Sequence, residues 1–157
     1  MFDFRADAAQ PKAEFYRELL SAADALTAGE PDGIANMANA AGLIWESLPD
    51  INWVGFYRNI DGELVLGPFQ GPVACTRIPF GKGVCGSSWQ RAETIVVPDV
   101  EEFPGHIACS SESRSEIVVP VWQNGRIIAV LDIDSEHLGT FDATDKLWLE
   151  QIVSLIQ

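Results

Sequence analysis

The chain has 157 residues, 47% of them apolar, and carries 23 acidic side chains against 10 basic ones for a net charge of -13. Such a surface repels phosphates and has no basic stripe to offset it, which excludes nucleic acid and anionic membrane surfaces as partners. No apolar run approaches the roughly 20 residues that span a bilayer. Met1-Phe2-Asp3-Phe4-Arg5-Ala6-Asp7 also lacks the basic-then-apolar order of a secretory signal, so a cytoplasmic setting with reduced thiols is expected.

From the amino terminus, Phe15, Leu19, Leu20, Ala23 and Leu26 recur at helical spacing and predict a helix over residues 11–28, with Pro11 in its first turn and Gly29 at its stop. A second helix is predicted over residues 33–48. The period then changes: residues 52–59, an Asp61-Gly62 turn and residues 63–67 read as a hairpin. Another strand is predicted over residues 74–78. Gly81-Lys82-Gly83-Val84-Cys85-Gly86-Ser87-Ser88 marks a turn followed by a short helix, with Val84 and Trp89 facing inward. Strands over residues 94–98, 116–122 and 126–134 follow. A closing helix starts near Asp142, which suits the cap position, with Asp145 three residues on. This order predicts an α+β fold: a central antiparallel β-sheet with helices from both chain ends packed on it, one domain over residues 1–157.

The last hairpin carries the most informative geometry. Side chains alternate along a strand, so Asp132 and Asp134 share a face, and the turn decides which face Glu116 joins. With Asn124-Gly125 as a two-residue loop, Glu116 falls opposite Ile133 and away from both aspartates. With Gln123-Asn124-Gly125 as a three-residue loop ending in a G1 bulge, Glu116 falls opposite Asp132. One residue of register separates three dispersed carboxylates from three convergent ones. Because the flanking strands are apolar on both faces, convergence in a cavity is expected, and clustered carboxylates there raise one another's pKa. One protonated near neutral pH is a general acid.

Cys75, Cys85 and Cys109 are the only cysteines. An odd number argues against a static disulfide framework, and the absence of C-x-x-C or H-E-x-x-H spacing, with His106 and His137 as the only histidines, argues against a metal site. Cys85 reads equally as a small core residue or as a functional thiol. Cys109, in the polar stretch Ala108-Cys109-Ser110-Ser111-Glu112-Ser113-Arg114-Ser115, reads as an exposed loop thiol and a candidate for reactivity. His106, three positions earlier, suggests a Cys–His dyad, but acyl transfer has no use for two further cysteines.

Several blocks carry a family resemblance. Asn52-Trp53-Val54-Gly55-Phe56-Tyr57, Leu64-Val65-Leu66-Gly67-Pro68-Phe69-Gln70-Gly71, residues 81–86, Ser115-Glu116-Ile117-Val118-Val119-Pro120 and Leu131-Asp132-Ile133-Asp134-Ser135 resemble the free methionine-R-sulfoxide reductases, single-domain members of the GAF superfamily. The matching region runs from about residue 52 to residue 150.

The resemblance implies thiol-dependent reduction of free methionine-R-sulfoxide without a bound cofactor or metal. Cys109 corresponds to the nucleophile that becomes a sulfenic acid, Cys75 to the thiol that resolves it to a disulfide, and Cys85 to an additional or alternative resolving thiol. Thioredoxin is the implied reductant and a homodimer the implied assembly. Glu116, Asp132 and Asp134 are implied at the substrate, with Trp53 and Tyr57 in the wall around its methyl end. Chemistry agrees: a sulfoxide oxygen leaves poorly unless protonated, and Glu116 is the expected acid or orienting group. An ammonium suits Asp132 or Asp134, while the amides around Gly83 and Val84 suit a substrate carboxylate. Two bland readings stand beside these: Trp53 and Tyr57 as core packing, and the Gly-rich turn as an ordinary helix start. The rival function is a GAF-type ligand-binding or redox-sensing module without turnover, which leaves the cysteine pair and opposed carboxylates without a combined purpose.

Overall fold

The computed structural model describes residues 3, 4, 6–107 and 112–156. Two helices, α1 (Lys12–Thr27) and α2 (Gly33–Ser47), precede the hairpin of β1 (Trp53–Ile60) and β2 (Glu63–Gln70). A short β3 (Arg77–Ile78), helix α3 (Gly83–Arg91), β4 (Ile95–Val97) and a 3-10 turn (Val100–Glu102) lead to the second hairpin, β5 (Ser115–Gln123) and β6 (Arg126–Ser135), and to α4 (Ala143–Val153). Among the described residues the six strands form one antiparallel sheet in the order β3-β2-β1-β6-β5-β4.

Strand alternation divides the apolar residues between two layers. On one face, Phe56, Ile117, Leu131 and Ile133 pack against α1, α2 and α4 through Leu19, Ile44, Leu149 and Ile152, all of them essentially inaccessible. On the other, Trp53, Tyr57, Val118 and Val130 pack against α3 through Val84 and Cys85. The second layer is thinner, and it holds the polar side chains. The α4 start is fixed as expected: Asp142 accepts from the Thr144 and Asp145 N–H groups, and the Asp145 carboxylate accepts in return from the Asp142 N–H. Asp145 also accepts from the Tyr16 hydroxyl at 2.6 Å and from Lys12 at 2.6 Å, which ties α1 to α4.

Three departures from the predicted elements have local causes. Strand β2 runs on through Pro68 because a bulge between Gly55 and Tyr57 absorbs it, and because β3 covers only Leu64 and Val65, leaving no strand beside Pro68 on that side. Strand β3 is correspondingly shorter than the predicted residues 74–78. The β5–β6 turn is the two-residue alternative, but the register beyond it is not the one that turn alone dictates.

Asn124 and Gly125 form a two-residue turn, both with positive φ (52° and 74°), and Gln123 pairs with Arg126. A bulge at Ile128 then shifts the ladder, so that Val121 pairs with Ala129, Val118 with Asp132 and Glu116 with Asp134. The shift restores the parity that brings Glu116 onto the aspartate face. Its direct partner is Asp134, not Asp132 as the three-residue loop would have it.

Gly55, opposite Asp132 on β1, keeps this face open. A Cβ there would lie 2.4 Å from Phe69 Cβ and 2.5 Å from Trp53 Cη2, because the indole of Trp53 lies flat over the strand beside the Phe69 ring, centroids 5.4 Å apart. Gly55→Ala therefore forces the Trp53 ring off the sheet. We expect a loss of about 2–3 kcal/mol and a Tm lower by about 5 °C or more, measured by thermal unfolding, with an unchanged Tm meaning that Trp53 is not held there.

Candidate active site

The β5, β6 and β1 strands end together at one edge of the α3 layer, and their alternation delivers Glu116, Asp132, Asp134, Trp53 and Tyr57 to one cavity. Helix α3 closes it with Gly83, Val84 and Cys85, and His106 and Ile107 approach from the segment after the 3-10 turn. The cavity volume is about 40 Å³, room for roughly three waters. Val73, 90% exposed, stands at its mouth.

Glu116 and Asp132 are buried and Asp134 is half-buried. Asp132 lies within hydrogen-bonding reach of Glu116, Asp134 and the Cys85 thiol. Burial, reinforced by the Asp134 charge, pushes the Glu116 carboxyl up to about 8. Asp132 and Asp134 are also driven well above the usual carboxylate range, first by burial and then by each other's or Glu116's charge. The cluster therefore favours its protonated forms near neutral pH, and its groups titrate as a coupled set. No Lys or Arg forms a salt bridge with these three carboxylates among the described residues. His106 Nε2 lies 3.5 Å from Glu116 Oε2, and burial holds this imidazole below its usual range; Lys82 also lines the cavity.

The aromatic wall is built by Trp53, stacked between Tyr57 at 5.9 Å and Phe69 at 5.4 Å. The Trp53 indole N–H donates to Pro72 O at 3.0 Å, and the Tyr57 hydroxyl donates to Cys75 O at 2.9 Å, so both polar tips are turned away from the sheet and fasten the segment before β3. Burial and the surrounding carboxylates push the Tyr57 phenol upward, leaving it a hydrogen-bond donor.

At the start of α3, Gly83 has φ +61°, and a Cβ there would press within 3.1 Å of the Ile107 side chain. Lys82 provides no side-chain cap, and the first helical bond is Gly86 N–H to Lys82 O, so the Gly83, Val84 and Cys85 amides precede the helical ladder at the cavity. Cys85 is a free, buried thiol that burial, Asp132 and Glu116 push well above its ordinary range, which suppresses the thiolate. Cys75 is half-buried and disulfide-bonded. Cys109 lies outside the described residues.

The fold thus brings eight of the predicted groups around one cavity, with Cys75 behind Tyr57. Local spacing gives no hint of His106 beside Glu116, since the sequence relates His106 only to Cys109 nearby and to the sparse metal-ligand pattern. Nor did it reveal Asn52, whose amide donates to Ser113 Oγ at 3.3 Å across the cavity rim, or Ile107 over Gly83. Each of these contacts depends on long-range pairing.

This sheet, helical on one face and site-bearing on the other, is that of a GAF domain, and the GAF domain family model matches residues 34–157. The chain is 53% identical over 146 residues to GAF domain-containing protein A of Dictyostelium discoideum, covering 92% of each. It is 49% identical over 146 residues to the free methionine-R-sulfoxide reductase of Escherichia coli strain K12, covering 93% of this chain and 88% of that one. The X-ray structure of free methionine-R-sulfoxide reductase from Neisseria meningitidis in complex with its substrate superposes with a TM-score of 0.92 at 51% identity, covering 99% of this chain and 93% of that one. The chain belongs to the free methionine-R-sulfoxide reductase family of GAF domains.

Holding Glu116 protonated has a consequence for stability. Its folded-state pKa of about 8 lies above the 4.5 of an unperturbed glutamate, so the folded protein keeps a proton that the unfolded chain releases across that interval. Stability therefore falls as pH rises from about 4.5 through 8. Glu116→Gln removes the titration and offers an amide to the cluster. The variant is expected to unfold at a higher temperature than wild type at pH 8.5, by about 5 °C, and the gap should narrow at pH 5. A gap independent of pH would show that Glu116 is ionised in the folded state.

Proposed function

We propose that this protein reduces free methionine-R-sulfoxide to methionine by a thiol mechanism, as one cytoplasmic domain. The observation that carries this reading is the proton-retaining cluster of Glu116, Asp132 and Asp134 facing the Trp53–Tyr57 wall. A neutral carboxyl beside the bound sulfoxide is the group that sulfoxide reduction needs, since the oxygen must gain a proton as the sulfur is attacked. The relatives' activity supports the same assignment.

The cavity supplies a partner for each end of a free amino acid. Asp132 and Asp134 receive the ammonium, which reverses the local charge repulsion. The amides of Gly83 and Val84 receive the carboxylate. Trp53 and Tyr57 enclose the methyl group on sulfur. A peptide-bound residue lacks both charged ends, which makes the site selective for the free amino acid.

The reaction then proceeds in two steps. Cys109 thiolate attacks the sulfoxide sulfur while Glu116 protonates the oxygen; the oxygen passes to Cys109 as a sulfenic acid, and methionine leaves. Cys75 attacks the sulfenic sulfur, water departs, and a Cys75–Cys109 disulfide forms. Cys85, held as a thiol by burial and its acidic neighbours, serves as the alternative resolving group. Thioredoxin returns two electrons, no bound cofactor takes part, and the assembly is a homodimer.

The test is thioredoxin-coupled NADPH consumption with free methionine-R-sulfoxide, free methionine-S-sulfoxide and a peptide-bound R-sulfoxide. Turnover is expected with the free R form alone and is abolished in Cys109→Ser. Glu116→Gln is expected to lower kcat by about 10²–10⁴. With Glu116 as the acid, kcat/KM of wild type falls as pH rises through about 8, and that limb disappears in Glu116→Gln. No turnover with any of the three substrates by the reduced protein would reject the reductase in favour of a binding module.

A further inference from the structure

The carboxyl cluster also holds a thiol, and the combination has a chemistry of its own. Cys85 from α3, Glu116 from β5 and Asp132 from β6 each present one donor atom, and these three atoms lie within 4.8 Å of one another. All three side chains are buried. Asp132 Oδ1, in the wall of the cavity, has no hydrogen-bond partner among the described residues. A buried acceptor without a donor is a position that a ligand fills. His106 stands outside this group of three, with its Nε2 3.5 Å from Glu116 Oε2, so it reaches an ion there only by moving toward it.

Sulfur, two carboxylate oxygens and an imidazole nitrogen form a donor set for a borderline cation. A thiolate sets the site against magnesium and calcium, which prefer all-oxygen shells, and in favour of zinc. Donor atoms around tetrahedral zinc stand about 3.5 Å apart, so closing the cluster around an ion draws these donor atoms together by at most about 1 Å.

We propose that Cys85, Glu116 and Asp132, with His106 in the fourth position, form a binding site for a divalent cation of the zinc class. On binding, the ion replaces the Cys85 thiol proton and the carboxyl protons of the cluster, which pass to solvent. The ion occupies the cavity that an organic ligand would enter, so the two exclude each other. The site does not rest on the reductase reading, because it is read by metal binding and not by turnover.

The experiment uses the Cys75→Ser/Cys109→Ser protein, in which Cys85 is the remaining thiol of the three. Cobalt(II) is added as a spectroscopic probe and then displaced by zinc(II), in excess magnesium. One equivalent of cobalt is expected to give a thiolate charge-transfer band and tetrahedral visible bands, both removed by zinc. Adding Cys85→Ala should abolish the charge-transfer band, and Asp132→Asn and His106→Gln should each weaken zinc binding by about 10- to 100-fold, with circular dichroism confirming the fold. Absence of the band, or zinc affinity unchanged in both Cys85→Ala and Asp132→Asn, would overturn the proposal.

Discussion

The cross-strand pair of Glu116 and Asp134, with Asp132 beside both, is the constraint around which the rest of this molecule is arranged. Two carboxyl groups facing each other on a sheet are destabilising, and burying them adds a desolvation cost that no described Lys or Arg offsets. The chain answers in two ways. The groups hold protons, which removes most of the charge. The opposite face of the same strands also carries Ile117, Ile133 and Leu131, all fully buried under three helices, so the ladder that imposes the repulsion is held by the larger core. Site and scaffold alternate residue by residue along β5 and β6, and the sheet cannot relax one without exposing the other.

The scaffold was legible because its signals are local. Helical spacing from Phe15 to Leu26, the Asp61-Gly62 turn and the Asp142 cap all occur within a few residues, and each element formed about where its pattern placed it. The register of the second hairpin was not local. Ile128, the bulged residue, is β-branched like its neighbours Ile127 and Val130, and nothing in the run Arg126-Ile127-Ile128-Ala129-Val130 marks it as extra. The bulge reverses parity just as a three-residue turn would, so convergence was foreseen while the partner was misplaced by two residues. His106 beside Glu116 and Ile107 over Gly83 were illegible for a related reason: their positions follow from how the segment after β4 returns across the sheet.

The thiols divide by environment as the carboxylates do. Cys85 sits inside the cluster, where burial and negative neighbours hold its proton on. Activating a thiol there would gain little: moving a cysteine from about 8.5 to about 7 raises its thiolate fraction near pH 7 roughly 15-fold, and the lower basicity returns about a factor of 5. The cluster is better suited to giving a proton than to taking one. That favours acid assistance and positioning as the dominant contributions from these residues, and it fits the proposal that the attacking thiol lies outside the cluster.

A cavity with three clustered carboxyl groups, a buried thiol and no described salt-bridging Lys or Arg partner has one electrostatic property that any occupant must answer. It is deficient in positive charge, and the deficiency is stored as retained protons. An arriving cation releases those protons, and an ammonium and a zinc-class ion differ in what they leave behind. The ammonium is a single charge that donates through N–H groups; it can ionise an aspartate while leaving Glu116 protonated for chemistry. The dication requires deprotonated ligands, takes the Cys85 thiolate and the Glu116 carboxylate together, and so removes the acid. The arrangement proposed as a proton donor toward an amino acid is the one proposed as a chelate toward a metal, and the choice between them rests on whether Glu116 keeps its proton.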